Sequence, residues 1–136
     1  MIHFLLDTNV IIWLSNDEPR INQIKSLLFS DNTQIFISPV SWWEIAIKLR
    51  AGKLKANLDE LQYFAAKHHF TELPVTSKYM KAYLELPRLT ETKLPEGRFH
   101  KDPFDLMLLA QAITCPMRLI TGDSVLGEYS SLVMVI

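Results

Sequence analysis

The sequence predicts an α/β fold, a three-layer α/β/α sandwich built on a mostly parallel central sheet of about five strands. Three observations predict it. Short uninterrupted apolar runs, Ile2–Leu6 foremost, have the pattern of central strands covered on both faces. Segments with apolar residues at helical spacing separate those runs, the alternation expected of βαβ units. Two of the strands run into an acid, Asp7 directly and Asp123 after Gly122, and in parallel sheets ligands bind beyond the carboxyl ends of the strands.

Taken in order, Ile2–Leu6 is the first strand and ends abruptly in Asp7-Thr8-Asn9. Val10–Leu14 reads as a short helix closed by Ser15, Asn16 and Pro19. Ile21, Ile24, Leu27 and Leu28 recur at the spacing of an amphipathic helix of about two turns. Gln34–Ile37 is the second strand. Ser38-Pro39 is a helix start, serine at the cap and proline at the first helical position. That helix runs through Trp42, Trp43, Glu44, Ile45, Ile47 and Leu49 and stops near Gly52. Asn57, with Glu60 three residues on, caps a helix over Leu58–His68. Thr71–Val75 is a weak strand broken by proline. Thr76–Leu86 is a helix with Tyr79, Met80 and Tyr83 as its apolar stripe. Pro87–Lys101 is a loop, and Asp102-Pro103 opens a deeply apolar helix over Pro103–Ile113. Arg118–Thr121 is a strand, Gly122–Gly127 a turn or short helix, and Leu132–Ile136 a closing strand.

The chain has 136 residues, which suits one domain over residues 1–136. Hydrophobic residues make up 49% and charged residues 21%, within the globular range. The net charge of −1 excludes a bulk-basic nucleic-acid binder and leaves any RNA contact to local clusters or a bound metal. A single cysteine, Cys115, excludes an internal disulfide and a thiolate-rich zinc site, and fits a reducing cytoplasm. The apolar start, Met1–Leu14, carries no Lys or Arg before it and is interrupted by Asp7 and Asn9, so it reads as strand and helix and not as a signal segment. No apolar run approaches the ~18 residues of a membrane span.

Four acids carry the chemistry. Asp7 and Asp123 follow strands that share one rim. Asp105 lies in the first turn of the helix after the long loop, and Glu44 sits inside the apolar stretch Trp42–Ile47. Carboxylates gathered on one rim repel one another, and a hard divalent cation relieves the conflict. All-oxygen ligands favour magnesium or manganese over zinc. Each acid also has a plainer reading. Asp7 can cap a helix, Asp105 can answer the helix dipole, Asp123 can be a turn residue, and Glu44 can lie on a solvated strip. Asp102 is assigned mainly to capping. Arg98, His100 and Lys101 stand before that cap as candidates to approach a phosphate, and Lys48, Arg50, Lys53 and Lys55 form a second basic cluster; both sets also fit a solvated face. Trp42, Trp43, Tyr79 and Tyr83 read as core or subunit interface.

Four segments, Leu5-Leu6-Asp7-Thr8-Asn9, Val40 to Lys48 with Glu44 at its centre, Asp102-Pro103-Phe104-Asp105 through Ala112, and Ile120-Thr121-Gly122-Asp123, together resemble the PIN-domain family. They look most like VapC-type toxins of bacterial toxin–antitoxin pairs. The match runs in order over nearly the whole chain. The resemblance implies a PIN-like sandwich and a magnesium- or manganese-dependent endoribonuclease, in which a metal-activated water held by carboxylates hydrolyses RNA. It also implies a homodimer and inhibition by a cognate antitoxin. The family's acids fall on Asp7, Glu44, Asp105 and Asp123, with Thr8 or Asn9 as assistants. One departure is Leu106, where relatives often carry Arg.

Two other functions stay open on the sequence. One is a PIN-like module that binds RNA or protein without cutting. The other is phosphoryl transfer through Asp7 as a nucleophile, which leaves Glu44 without a role.

Overall fold

The computed structural model describes residues 1–88 and 102–136. Its centre is β1 (Ile2–Leu6), paired in parallel with β2 (Thr33–Ile37) on one side and β4 (Arg118–Thr121) on the other. The short β3 (Thr71–Glu72) adds to β2 and β5 (Val133–Val135) adds to β4. The result is a five-stranded, wholly parallel sheet in the order β3-β2-β1-β4-β5.

Side chains alternate across a strand, and β1 shows what that does. Phe4 and Leu6 enter one core with Ile35, Ile37 and Ile120, while Leu5 enters the other with Leu119. The first core is closed by α1 (Thr8–Ser15), α2 (Lys25–Leu28) and α4 (Leu58–Lys67), through Val10, Ile11, Leu14, Leu28 and Ala65. The second is closed by α6 (Pro103–Thr114), through Leu108, Leu109 and Ala112. The first turn of α3 (Pro39–Arg50) joins that second core through Val40, and α5 (Met80–Glu85) lies alongside α6. Burial on both faces explains why the strands read as continuous apolar runs. The three-layer α/β/α expectation is therefore met.

Caps set the helix starts. Ser38 accepts from the Val40 amide at 3.2 Å and Asn57 from the Glu60 amide at 3.0 Å. Asp102 accepts from the Phe104 and Asp105 amides at 2.9 and 3.3 Å, its expected capping role. Gly52, at φ 71°, ends α3 in the left-handed region.

Several elements depart from the sequence expectation. The helix expected from Ile21 to Leu28 is split into a 3-10 turn, Pro19–Gln23, and the single turn of α2. Ile21, Ile24 and Leu28 still point into the first core, so packing keeps the spacing although the helix breaks. The strand expected over Thr71–Val75 is two residues long, because Pro74 has no amide to donate to a ladder. The helix expected over Thr76–Leu86 divides into a 3-10 turn, Ser77–Tyr79, and α5. Of its predicted stripe, Tyr79 is buried and Met80 is exposed. Cys115, the single cysteine, is half-buried, with its sulfur 3.5 Å from the Tyr79 hydroxyl. Trp42 packs on the first core, whereas Trp43 lies on the surface, 63% exposed.

Candidate functional site

Asp7 is the residue at which β1 becomes α1. Its amide still donates to the Ile120 carbonyl at 2.9 Å, and its side chain already caps the helix. Oδ1 accepts from the Thr8 amide at 2.7 Å, and Oδ2 accepts from the Thr121 hydroxyl at 2.6 Å. Each oxygen thus has one lone pair engaged and one remaining. The plain reading of Asp7 as a cap is correct, and the same buried carboxylate also reaches the end of β4 through Thr121.

Thr121, the last residue of β4, works on both strand ends. While its hydroxyl holds Asp7, its oxygen accepts from the Asp123 amide at 3.0 Å. Asp123 in turn accepts from the Val125 amide at 2.9 Å, the local turn bond expected of an aspartate there. This half-buried acid is therefore held in place by the turn that it makes.

Glu44 comes from α3. Its side chain is only 12% exposed; Oε2 pairs with Lys48 Nζ at 3.1 Å one helical turn on. Oε1 is buried and accepts no hydrogen bond. A buried carboxylate oxygen without a donor is costly, which sets Glu44 apart from an acid on a solvated strip. Ser41, three residues before it, accepts from the buried Thr8 hydroxyl at 3.1 Å. That bond ties the start of α3 to the start of α1. The Thr8 side chain that makes this tie is buried, whereas Asn9 is exposed.

Asp105 lies in the first turn of α6. Burial, then Asp7, Asp102, Glu44 and Asp123 push its carboxyl up to about 8. Burial also raises the Asp7 carboxyl; the Thr121 and Thr8 hydrogen bonds pull it back, and Glu44 and Asp123 push it up again. The four acids that the sequence singled out thus stand within electrostatic reach of one another, although they come from β1, α3, α6 and the turn after β4. Beside them, burial and the charge of Asp105 raise the Tyr129 hydroxyl.

Among the described residues, no three His, Cys, Asp or Glu side chains are drawn together tightly enough to enclose an ion unaided. The four acids are a rim and not a closed cage. Such a rim fits a magnesium-class cation, which keeps several waters and takes only one or two carboxylates directly. The oxygen donors, the unpartnered Glu44 Oε1 and the mutual repulsion around Asp105 all suit that kind of ion.

Arg98, His100 and Lys101 lie outside the described residues. Lys48, placed by sequence in a basic cluster, is engaged with Glu44. Sequence reasoning missed Thr121 and Ser41, for which the only signal is a lone hydroxyl at the end of an apolar strand and another in an apolar helical turn. It also missed the stack of Arg20 on Trp13, whose guanidinium carbon lies 4.4 Å from the ring centroid.

Comparison with known proteins bears on the fold and the family. A curated relative, Ribonuclease VapC22 of Mycobacterium tuberculosis (strain ATCC 25618 / H37Rv), is 23% identical over 124 residues, covering 90% of this chain and 88% of its own. Among solved structures, VapBC2 from Rickettsia felis bound to a promoter DNA fragment matches with a TM-score of 0.69 at 21% identity, covering 99% of this chain and 98% of that one. VapBC-1 from nontypeable Haemophilus influenzae matches with a TM-score of 0.66 at 19% identity, covering 99% and 97%. DNA-bound VapBC from Salmonella typhimurium matches with a TM-score of 0.65 at 18% identity, covering 100% and 98%. The PIN domain family model matches residues 4–132, from the middle of β1 to the edge of β5, and the chain therefore belongs to the PIN domain family.

Proposed function

We propose that this chain is a metal-dependent endoribonuclease, acting as the toxin of a toxin–antitoxin pair, with Asp7, Glu44, Asp105 and Asp123 as its site. The reading rests on the mutual electrostatic influence of those acids, which come from four separate segments, and on one Glu44 oxygen that is buried and accepts no hydrogen bond. The curated ribonuclease relative and the structural likeness to VapBC complexes support it.

In this reading the whole chain works as one PIN domain. Asp7, Asp105, Asp123 and Glu44 would hold a magnesium or manganese ion, directly or through its waters. When bound, such a cation offsets the charge on a phosphodiester and makes water more acidic. The protein's own work is positioning. Thr8 and Thr121 fix the plane of the Asp7 carboxylate, the Thr121–Asp123 bond fixes the second strand end, and the Thr8–Ser41 tie sets the approach of α3 and hence of Glu44. Burial and the surrounding carboxylates raise the Asp105 carboxyl to about 8, crowding that a bound cation would relieve.

The alternative of phosphoryl transfer through Asp7 gains nothing from this geometry. Both oxygens of Asp7 are engaged by donors, which dulls them as nucleophiles. For partners, the reading takes an RNA substrate, a cognate antitoxin and a second copy of this chain. Exposed apolar side chains, Trp43, Met80 and Leu84, suit such protein contacts. No described helix is long and apolar enough to cross a membrane, and the cytoplasm is the proposed setting.

The test is cleavage of a fluorogenic RNA by the purified chain, freed of any co-purifying protein, with and without magnesium or manganese. Metal-dependent cleavage that Asp7→Asn abolishes, with circular dichroism unchanged, is the expected result. RNA left intact under both metals overturns the proposal in favour of a binding module.

A further inference from the structure

A site built from four acids repels the RNA backbone, so a nuclease of this kind needs fixed cations beside its metal. Lys48 is held by Glu44. Arg20 is differently placed. After α1 the chain turns through Asp17, at φ 52°, and enters the 3-10 turn that begins at Pro19. This lays the Arg20 guanidinium on the face of Trp13. Both side chains press on Gly122: a β-carbon there would fall 2.3 Å from Trp13 Cη2 and 2.9 Å from Arg20 Nη1. Gly122 separates Thr121, which holds Asp7, from Asp123. The guanidinium therefore stands on the same rim as the acids, and no carboxylate among the described residues forms an ion pair with it.

We propose that Arg20 is a substrate-binding residue that grips an RNA phosphate next to the carboxylate site; this rests on the nuclease reading above. A guanidinium stacked on an indole keeps its planar N–H edge open, and that edge matches two phosphate oxygens at once. The stack also holds the long side chain ready, which lowers the entropy cost of binding. The absence of a side chain at Gly122 makes room for the stack to lie against the turn that carries Asp123. Trp13 is the support, and Arg20 is the group that touches substrate.

The test measures binding without cutting, in the Asp7→Asn background. A fluorescein-labelled single-stranded RNA of mixed sequence is titrated in magnesium at several salt concentrations and followed by anisotropy. Arg20→Ala is expected to weaken binding about tenfold and to reduce the slope of log affinity against log salt by about 0.7, the loss of one phosphate contact on a single strand. Arg20→Lys is expected to restore the slope and only part of the affinity, because an ammonium lacks the paired donors. Arg20→Ala should lower the melting temperature by a few degrees at most, the loss of its stack on Trp13, and leave the chain folded at the temperature of the titration. If the parent chain cuts no RNA under either metal, the nuclease reading falls and takes this inference with it. If it cuts, and Arg20→Ala leaves affinity and slope as they were or lowers affinity with the slope unchanged, the assignment of Arg20 alone is overturned.

Discussion

The Thr121 hydroxyl donates to Asp7 Oδ2 at 2.6 Å across two neighbouring strands. The same oxygen accepts from the Asp123 amide, so one small side chain orients acids on both strand ends. Thr121→Val keeps the volume and removes both bonds. We expect about a 10- to 100-fold loss of manganese affinity or cleavage rate, the usual penalty for removing a support behind a metal ligand, together with a melting temperature lower by a few degrees. Manganese titration by electron paramagnetic resonance checks it, and an affinity equal to the parent's would show that the hydroxyl is dispensable.

The crowding around Asp105 predicts a pH dependence of the metal-free protein. Its folded carboxyl is raised to about 8, so between an unfolded value of about 4 and about 8 the folded state binds more protons than the unfolded one. Stability must then fall as pH rises through that window, and level off above it. Asp105→Asn should therefore stabilise the metal-free protein clearly at pH 8 and little near pH 4. Urea unfolding in EDTA at both values tests this. A larger gain at the acid end would contradict the sign.

Lys48 is the counter-charge of a nearly buried carboxylate. In Lys48→Met, Glu44 keeps its burial and loses its partner. The metal-free protein should lose about 1 kcal/mol or more, above the ~0.3–0.5 kcal/mol of an exposed helical pair. Manganese binding should tighten several-fold, because a cation no longer repels the incoming one. In a Glu44→Gln background Lys48→Met should cost little. Equal losses in both backgrounds would mean that Lys48 stabilises α3 by other contacts.

Gly122→Ala tests the close packing of the Trp13–Arg20 stack. The added methyl meets the indole well inside contact distance, so the stack must move, at about 1–3 kcal/mol. Thermal unfolding followed by tryptophan fluorescence reads both the loss and the altered Trp13 environment. A variant as stable as the parent would show that the stack yields without cost.

How much of this was legible in the sequence depends on how local the cause is. Ile2–Leu6 and Arg118–Thr121 were readable because a strand buried on both faces must be apolar throughout. Asp102-Pro103 announced α6 because capping is a matter of two or three residues. The break in the Ile21–Leu28 helix was not readable, since the buried spacing is the same whether the backbone is one helix or two turns. Asp7, Glu44, Asp105 and Asp123 could be picked out as acids in telling places. Their supports could not, because Thr121 and Ser41 gain meaning only through partners at a distance of 114 and 33 residues. Arg20 was invisible for the same reason: nothing near it in sequence points to Gly122.

The strand order puts β1 between β2 and β4, so the first strand of the sheet in chain order is flanked on one side by the fourth. Translation reaches Thr121 114 residues after Asp7. Until then Asp7 lacks its hydroxyl donor and Asp123 does not exist. A nascent polypeptide of this topology carries no assembled acid rim until residue 123 has been made, so order of synthesis alone fixes when the four acids can first meet.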